Sequence, residues 1–248
     1  MSYRLIRFRY FNAYLNMALD EAIMEGIRAG TTPPTIRLYG WEPSAVSIGR
    51  FQGLHYEVNL EVCRQLGVDV VRRITGGGAV YHDRDGEITY SLLAPASLFP
   101  VDLRQSYQVI CQPLVEALSL LGIEASFEPI NDILVDGKKI SGNAQARKQG
   151  VLLQHGTILY QVNVEKMFSL LTVSEVKISD KLIRSVKKRV VSIQDLKPVS
   201  FQQVADALET AFSDGREVQH GDYTDQELMR AEKLAQEKYS TDTWNAMR

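Results

Sequence analysis

The 248-residue chain is short of cysteine, of net charge and of long apolar runs. Cys63 and Cys111 are too few and too far apart for a disulfide framework or a thiolate metal site. Both fall in helical patterns, where cysteine behaves as a small buried hydrophobe. With 28 basic residues against 30 acidic ones, the formal charge of −2 offers no electrostatic footprint for nucleic acid. No stretch reaches the roughly 18 consecutive apolar residues of a membrane-spanning helix. Met1 to Tyr10 lacks the apolar region of a signal peptide, so the expectation is a cytoplasmic protein with no membrane partner. His55 and His220 show no ligand spacing, which argues against a histidine metal site. There is no internal repeat, low-complexity tract or linker, and residues 1–248 read as one domain.

Ordinary globular composition, 45% hydrophobic and 23% charged, leaves enough apolar surface for a full core. Alternation predicts strands over Tyr3–Tyr10, Thr35–Tyr39, Ala45–Ile48, Val68–Val71 and Glu87–Leu93. Helical spacing follows Asn12, runs from Asn59 to Leu66, and extends from Asp102 to Leu121, where Pro113 should introduce a bend. From Asn163 onward the pattern is helical, and Ile178–Val191 carries a basic face from Lys181 to Arg189. Pairs of strands separated by helices indicate an α+β fold, an open mixed sheet flanked by helices.

The most informative stretch is Arg72-Arg73-Ile74-Thr75-Gly76-Gly77-Gly78-Ala79-Val80-Tyr81-His82-Asp83. Strand-like residues flank the glycines on both sides, predicting a glycine hairpin. Neither a dinucleotide fingerprint nor a P-loop can be drawn through them. Three glycines instead expose backbone N–H groups to a ligand, and arginines at the rim suit a carboxylate or phosphate. The alternative is a glycine-rich hairpin with surface arginines.

A second stretch, Asn131 to Gln145, contains the turn signal Asp136-Gly137. Strict alternation beyond it puts Lys139, Ser141 and Asn143 on one face, with Lys138 and Ile140 on the other. Val151 to Leu159 is an apolar strand interrupted by His155 and Gly156. Polar groups in such strands are costly unless they are partnered or used.

RRITGGGAVYHD, NDILVDGKKISGNAQ and LQHGTIL, in that order, resemble the lipoate–protein ligase A family within the biotin/lipoate ligase superfamily. NMALDEA, IRLYGW and YSTDTWN extend the resemblance over nearly the whole chain. It implies the superfamily's catalytic-domain fold, a mixed and largely antiparallel sheet flanked by helices. It also implies ATP-dependent activation of lipoate to lipoyl-AMP, with Mg²⁺, followed by transfer to a lysine of a lipoyl-domain or H-protein-like acceptor.

In that reading Lys139 is the catalytic residue, an electrostatic stabiliser of the phosphate and acyl carbonyl and not a proton shuttle. Arg73 and Thr75 bind the anionic end, with Gly76, Gly77, Gly78 and Val80 as backbone wall. Asn131 and Asp132 face the adenylate, Asp132 as a candidate Mg²⁺ ligand. Ser141, Gly142 and Ala144 flank the ligand's path, and His82, His155, Gly156 and Thr157 border it. Arg72 faces away from the site.

Three departures from the family pattern stand out. Arg84-Asp85-Gly86-Glu87 replaces the usual Leu-Gly-Asn, Arg147 sits one position late, and the chain stops at Arg248, where full-length ligases carry an accessory domain. The last implies a separate small accessory subunit. The main alternative is an octanoyltransferase moving octanoate from acyl carrier protein to a lipoyl domain through a cysteine thioester. Those enzymes place their cysteine before the catalytic lysine, and residues 128–139 contain none, which sets ligation ahead of transfer. Biotin ligase fits less well, because its Gly-Arg-Gly-Arg loop is missing. A non-catalytic lipoate-binding or carrier-docking module is the remaining alternative.

Overall fold

The computed structural model describes residues 2–172 and 189–248. Most of the helix expected over Ile178–Val191, with its basic face, therefore lies outside the described residues. Eleven strands are formed among the described residues: β1 (Tyr3–Phe11), β2 (Thr35–Trp41), β3 (Ala45–Ile48), β4 (Asp69–Arg72), β5 (Val80–His82), β6 (Glu87–Pro95), β7 (Ser126–Glu128), β8 (Asp132–Val135), β9 (Lys138–Lys148), β10 (Val151–Leu159) and β11 (Val218–His220). Eight build one sheet in the order β11-β1-β2-β6-β10-β9-β8-β7, and β4-β3-β5 form a second. The large sheet is antiparallel from β2 to β7 and parallel at its β11-β1-β2 edge. This is the expected α+β class, with a small second sheet in place of one open sheet.

Alternation along the central strands sorts side chains into two cores. Ile88, Tyr90 and Leu92 of β6, with Leu152 and Ile158 of β10, meet Ile110, Cys111 and Leu114 of α4 (Leu103–Leu120) and Leu208 of the helix Phe201–Ser213. Leu93 of β6, Val151 and Leu153 of β10, and Tyr39 and Trp41 of β2 meet α1 (Ala13–Ala29) on the opposite face. Asn12 caps α1 by accepting from the Leu15 N–H at 2.9 Å. Pro113 lies inside α4, which runs unbroken from Leu103 to Leu120. In the stretch expected to be helical beyond Asn163, the chain is α-helical over Asp225–Leu234 and widens to a π-turn over Ala235–Tyr239.

Two predicted geometries are corrected. The glycine run is not a hairpin, because β3 lies between β4 and β5, parallel to one and antiparallel to the other. The run crosses the end of the small sheet instead. The second correction concerns β9. Asp136 and Gly137 do take the left-handed conformation of a tight turn, but the β8–β9 register then shifts, pairing Leu134 with Lys139 and Ile133 with Ser141. That extra residue is a bulge, and it breaks the alternation on which Lys139 shared a face with Ser141 and Asn143.

Candidate active site

A cavity of about 350 Å³ opens between the two sheets, within the ordinary size range of small-molecule sites. Met17 of α1, Tyr39 and Trp41 of β2, Val80 and Leu159 supply apolar wall. Met167 of α5 (Val164–Leu170) and Leu171 add to it. Of the sequence-predicted residues, Arg73, Gly77, Gly78, Val80, His82, Asn131, Lys139, Gly142, Ala144, His155, Gly156 and Thr157 line this cavity. Thr75, Gly76, Asp132 and Ser141 stand behind it, holding the residues that do.

Arg73 is buried without a carboxylate partner among the described residues. Its guanidinium donates to the Ser47 carbonyl at 3.1 Å and the Ser47 hydroxyl at 3.2 Å. It also donates to the carbonyls of Gly76 at 2.8 Å and Gly78 at 2.7 Å. Burial pushes it down to about 10, with Tyr107 and Tyr39 opposing, so it stays cationic at neutral pH. By drawing the glycine carbonyls to itself, Arg73 fixes the run's conformation. Gly77 adopts φ 95°, which an L side chain disfavours. Arg72, as expected, is turned away: its guanidinium binds the carbonyls of Gly49, Gln52, Trp244 and Asn245, tying the chain's end to β4.

Two hydroxyl–imidazole–carboxylate rows flank this run. In one, Ser47 Oγ lies 2.8 Å from His82 Nε2, and His82 Nδ1 lies 2.6 Å from Glu87 Oε1. The Trp41 ring stacks on the imidazole at 4.0 Å and donates through Nε1 to Thr89, whose hydroxyl donates to Glu87. In the other, Thr75 Oγ1 lies 2.7 Å from His155 Nε2, and His155 Nδ1 lies 3.3 Å from Asp20 Oδ2. Burial would raise the Asp20 carboxyl, but Arg37, His155 and Ser91 together hold it below the ordinary carboxylate range. Burial lowers His155 against the opposing pull of Asp20, which keeps the ring neutral at pH 7.

Lys139 reaches the site because of the β9 bulge. Its Nζ lies 2.7 Å from Asp132 Oδ1, and its side chain crosses Gly142, where a Cβ would meet both Cε and Nζ at 2.7 Å. Ser141 stands behind the cavity and Asn143 lines it, with Tyr90 donating to Asn143 Oδ1 at 2.7 Å and Asn143 donating to Ser141 at 3.3 Å. Asn131 donates to the Asn143 carbonyl at 2.5 Å and accepts from the Asn143 side chain at 2.9 Å. Asp132, the candidate Mg²⁺ ligand, is occupied by the ammonium. Among the described residues no group of three or more His, Cys, Asp or Glu gathers to hold a metal ion. Arg147 lies away from the cavity, donating to Ser106 at 2.9 Å.

Ser47, Trp41 and Glu87 line the cavity and were not among the sequence-predicted site residues. A signal existed for two of them. Ser47 interrupts the apolar run Ala45-Val46-Ser47-Ile48, and Glu87 opens a strand that is otherwise core. The cysteines are elsewhere. Cys63 packs with Val46 and Leu54 behind the small sheet. Cys111 accepts from Gln154 Nε2 at 3.4 Å on the α4 face of the large sheet, while the next residue, His155, projects into the cavity.

A family model described as the lipoyl protein ligase A/B catalytic domain matches residues 12–213. The chain belongs to this family. Octanoyltransferase LipM of Kyrpidia tusciae is 38% identical over 98% of this chain and 98% of its own. LipM of Brevibacillus brevis is 36% identical over 94% and 95%. Among solved structures, a bi-partite lipoate protein ligase of an archaeal lipoylation system from Thermoplasma acidophilum superposes with a TM-score of 0.89. It is 31% identical, covering 99% of this chain and 96% of that one. The fold implied by resemblance is therefore the fold found.

The implied activity is corrected. Ranking ATP-dependent ligation through lipoyl-AMP above octanoyl transfer is overturned by these full-length relatives, since others down to 32% identity carry the same octanoyltransferase name. Lack of a cysteine in residues 128–139 bears on the nucleophile and not on acyl transfer itself. Among the described residues no helix is long and apolar enough to cross a membrane.

Proposed function

We propose that this protein is an acyltransferase of lipoyl assembly, moving an octanoyl group from a thioester donor such as acyl-carrier protein to a lysine of a lipoyl domain. The full-length similarity to octanoyltransferases carries this reading. The cavity supports it, with apolar wall for an eight-carbon chain beside a concentration of positive charge. Lys139 and Arg73 present their cations where the acyl carbonyl would lie, and the N–H groups of the glycine run add backbone donors. Such preorganised donors stabilise the oxyanion formed when an amine or hydroxyl attacks a carbonyl. Asn131, Gly142, Ala144, His155, Gly156 and Thr157 shape the opposite wall.

The test is an acceptor-mass assay with a purified apo lipoyl domain, an octanoyl thioester and no ATP. The expected result is an acceptor carrying one octanoyl amide on its lysine. An acceptor that gains mass only from a free acid plus ATP overturns the reading.

A further inference from the structure

Acyl transfer from a thioester in two steps needs a nucleophile on the enzyme, and neither cysteine is placed to serve. Burial raises Cys111 to about 12 and Cys63 to about 11, which leaves little thiolate at neutral pH. More decisively, Cys111 sits across the large sheet from the cavity and Cys63 behind the small one.

The cavity wall does hold a hydroxyl with a base behind it. Ser47, His82 and Glu87 all line the cavity and are all at least nine-tenths buried. With the ring proton on Nδ1, where Glu87 accepts it, Nε2 is the acceptor that faces the Ser47 hydroxyl. Arg73 Nη1 donates to the same hydroxyl oxygen, which favours the alkoxide. Trp41, stacked on the imidazole and linked through Thr89 to Glu87, fixes the ring's orientation. Nucleophile, base and orienting acid stand in hydrogen-bonding order, as nucleophilic catalysis requires.

The Thr75–His155–Asp20 row resembles this one but is differently placed. Thr75 does not line the cavity. Asp20 is already neutralised by Arg37 at 3.0 Å, so its charge is committed before any imidazolium forms. Glu87 has no arginine or lysine partner among the described residues, and its charge is available to His82. The first row is built for proton transfer and the second for structure.

We propose that Ser47, activated by His82 and Glu87, takes the acyl group from the donor as an enzyme-bound ester. This rests on the acyl-transfer reading above. In the first step Ser47 Oγ bonds to the thioester carbonyl carbon while its proton passes to His82 Nε2. The C–S bond breaks and the departing sulfur takes that proton. In the second step the carrier lysine's neutral amine attacks the ester carbonyl and gives a proton to His82. The C–O bond breaks, and that proton returns to Ser47 Oγ. The glycine-run N–H groups, unclaimed by any acceptor among the described residues, face the oxyanion in both steps.

The experiment mixes the protein with S-octanoyl pantetheine, quenches in acid and weighs the intact chain, then repeats this with an apo lipoyl domain and weighs the acceptor. Wild type and a Cys63→Ser/Cys111→Ser double variant should each gain one octanoyl group on the peptide containing Ser47, stable to neutral hydroxylamine. Ser47→Ala should lose both adduct and transfer while keeping the wild-type circular dichroism spectrum. Ser47→Cys should restore an adduct, now a thioester that neutral hydroxylamine cleaves. Glu87→Gln should slow acylation about a hundredfold or more. An adduct on a cysteine or lysine, or an acceptor that gains octanoyl through Ser47→Ala at the wild-type rate, overturns the serine and leaves the acyl-transfer reading standing. An acceptor unmodified by wild type from any thioester overturns that reading, whereas a Ser47 ester formed without an acceptor still upholds the serine.

Discussion

Gly49 and Gly77 approach so closely that a Cβ on Gly49 would stand 2.1 Å from the Gly77 carbonyl oxygen. The obstacle is backbone, so nothing can swing aside. Gly49→Ala should displace the glycine run from Arg73, lower stability by about 1–3 kcal/mol as overpacking does, and remove most transfer activity. Gly78→Ala, with no neighbour within 4 Å of its Cβ, should fold normally. Thermal melts beside the acceptor-mass assay separate the two.

Lys139→Ala should leave the melting temperature nearly unchanged, since the ion pair with Asp132 is partly exposed and such pairs contribute little. Transfer should fall about a hundredfold to a thousandfold, as when one oxyanion donor is lost. Transfer within threefold of wild type would remove Lys139 from the chemistry.

Asp20→Asn should unfold the protein readily. Arg37 is fully buried against Asp20, and breaking a buried pair from one side costs about 3–5 kcal/mol. Urea denaturation should show that loss. A midpoint within experimental error of wild type would mean the pair is not the anchor of α1 to β2.

His155 ties stability to pH. Because burial lowers its folded-state value, the unfolded chain binds the extra proton more readily. Its contribution is fully present above the unfolded value near 6.5 and is lost as pH falls through that value toward the folded one. Melting temperature should therefore drop as pH falls below about 6.5, and His155→Gln should flatten that segment. An unchanged slope in the variant would assign the acid limb to other groups.

Cys111→Ser should retain transfer, at a stability cost of about 1–3 kcal/mol for placing a hydroxyl in the core. Thiol reagents should leave the folded protein unmodified at pH 7.

Local residue patterns determined a good deal. Asn12 marked the start of α1, Asp136-Gly137 marked the β8–β9 turn, and alternation marked the central strands, because caps, turns and pleats depend on neighbours within a few residues. The same local reasoning failed at β9. A single bulged residue opposite β8 put Lys139 on the cavity wall and left Ser141 behind it. It failed also at the glycine run, where β3, more than twenty residues earlier, inserts between strands that look adjacent.

The sequence by itself established the family and the α+β class, and it named part of the cavity wall, since ordered motifs and periodicity are legible in one dimension. Which hydroxyl meets which imidazole was decided only by tertiary pairing: β3 brings Ser47 to His82, and the face of β10 that carries His155 excludes Cys111. Side-chain direction in a sheet depends on register with strands distant in the chain, and that register is an outcome of packing the whole domain.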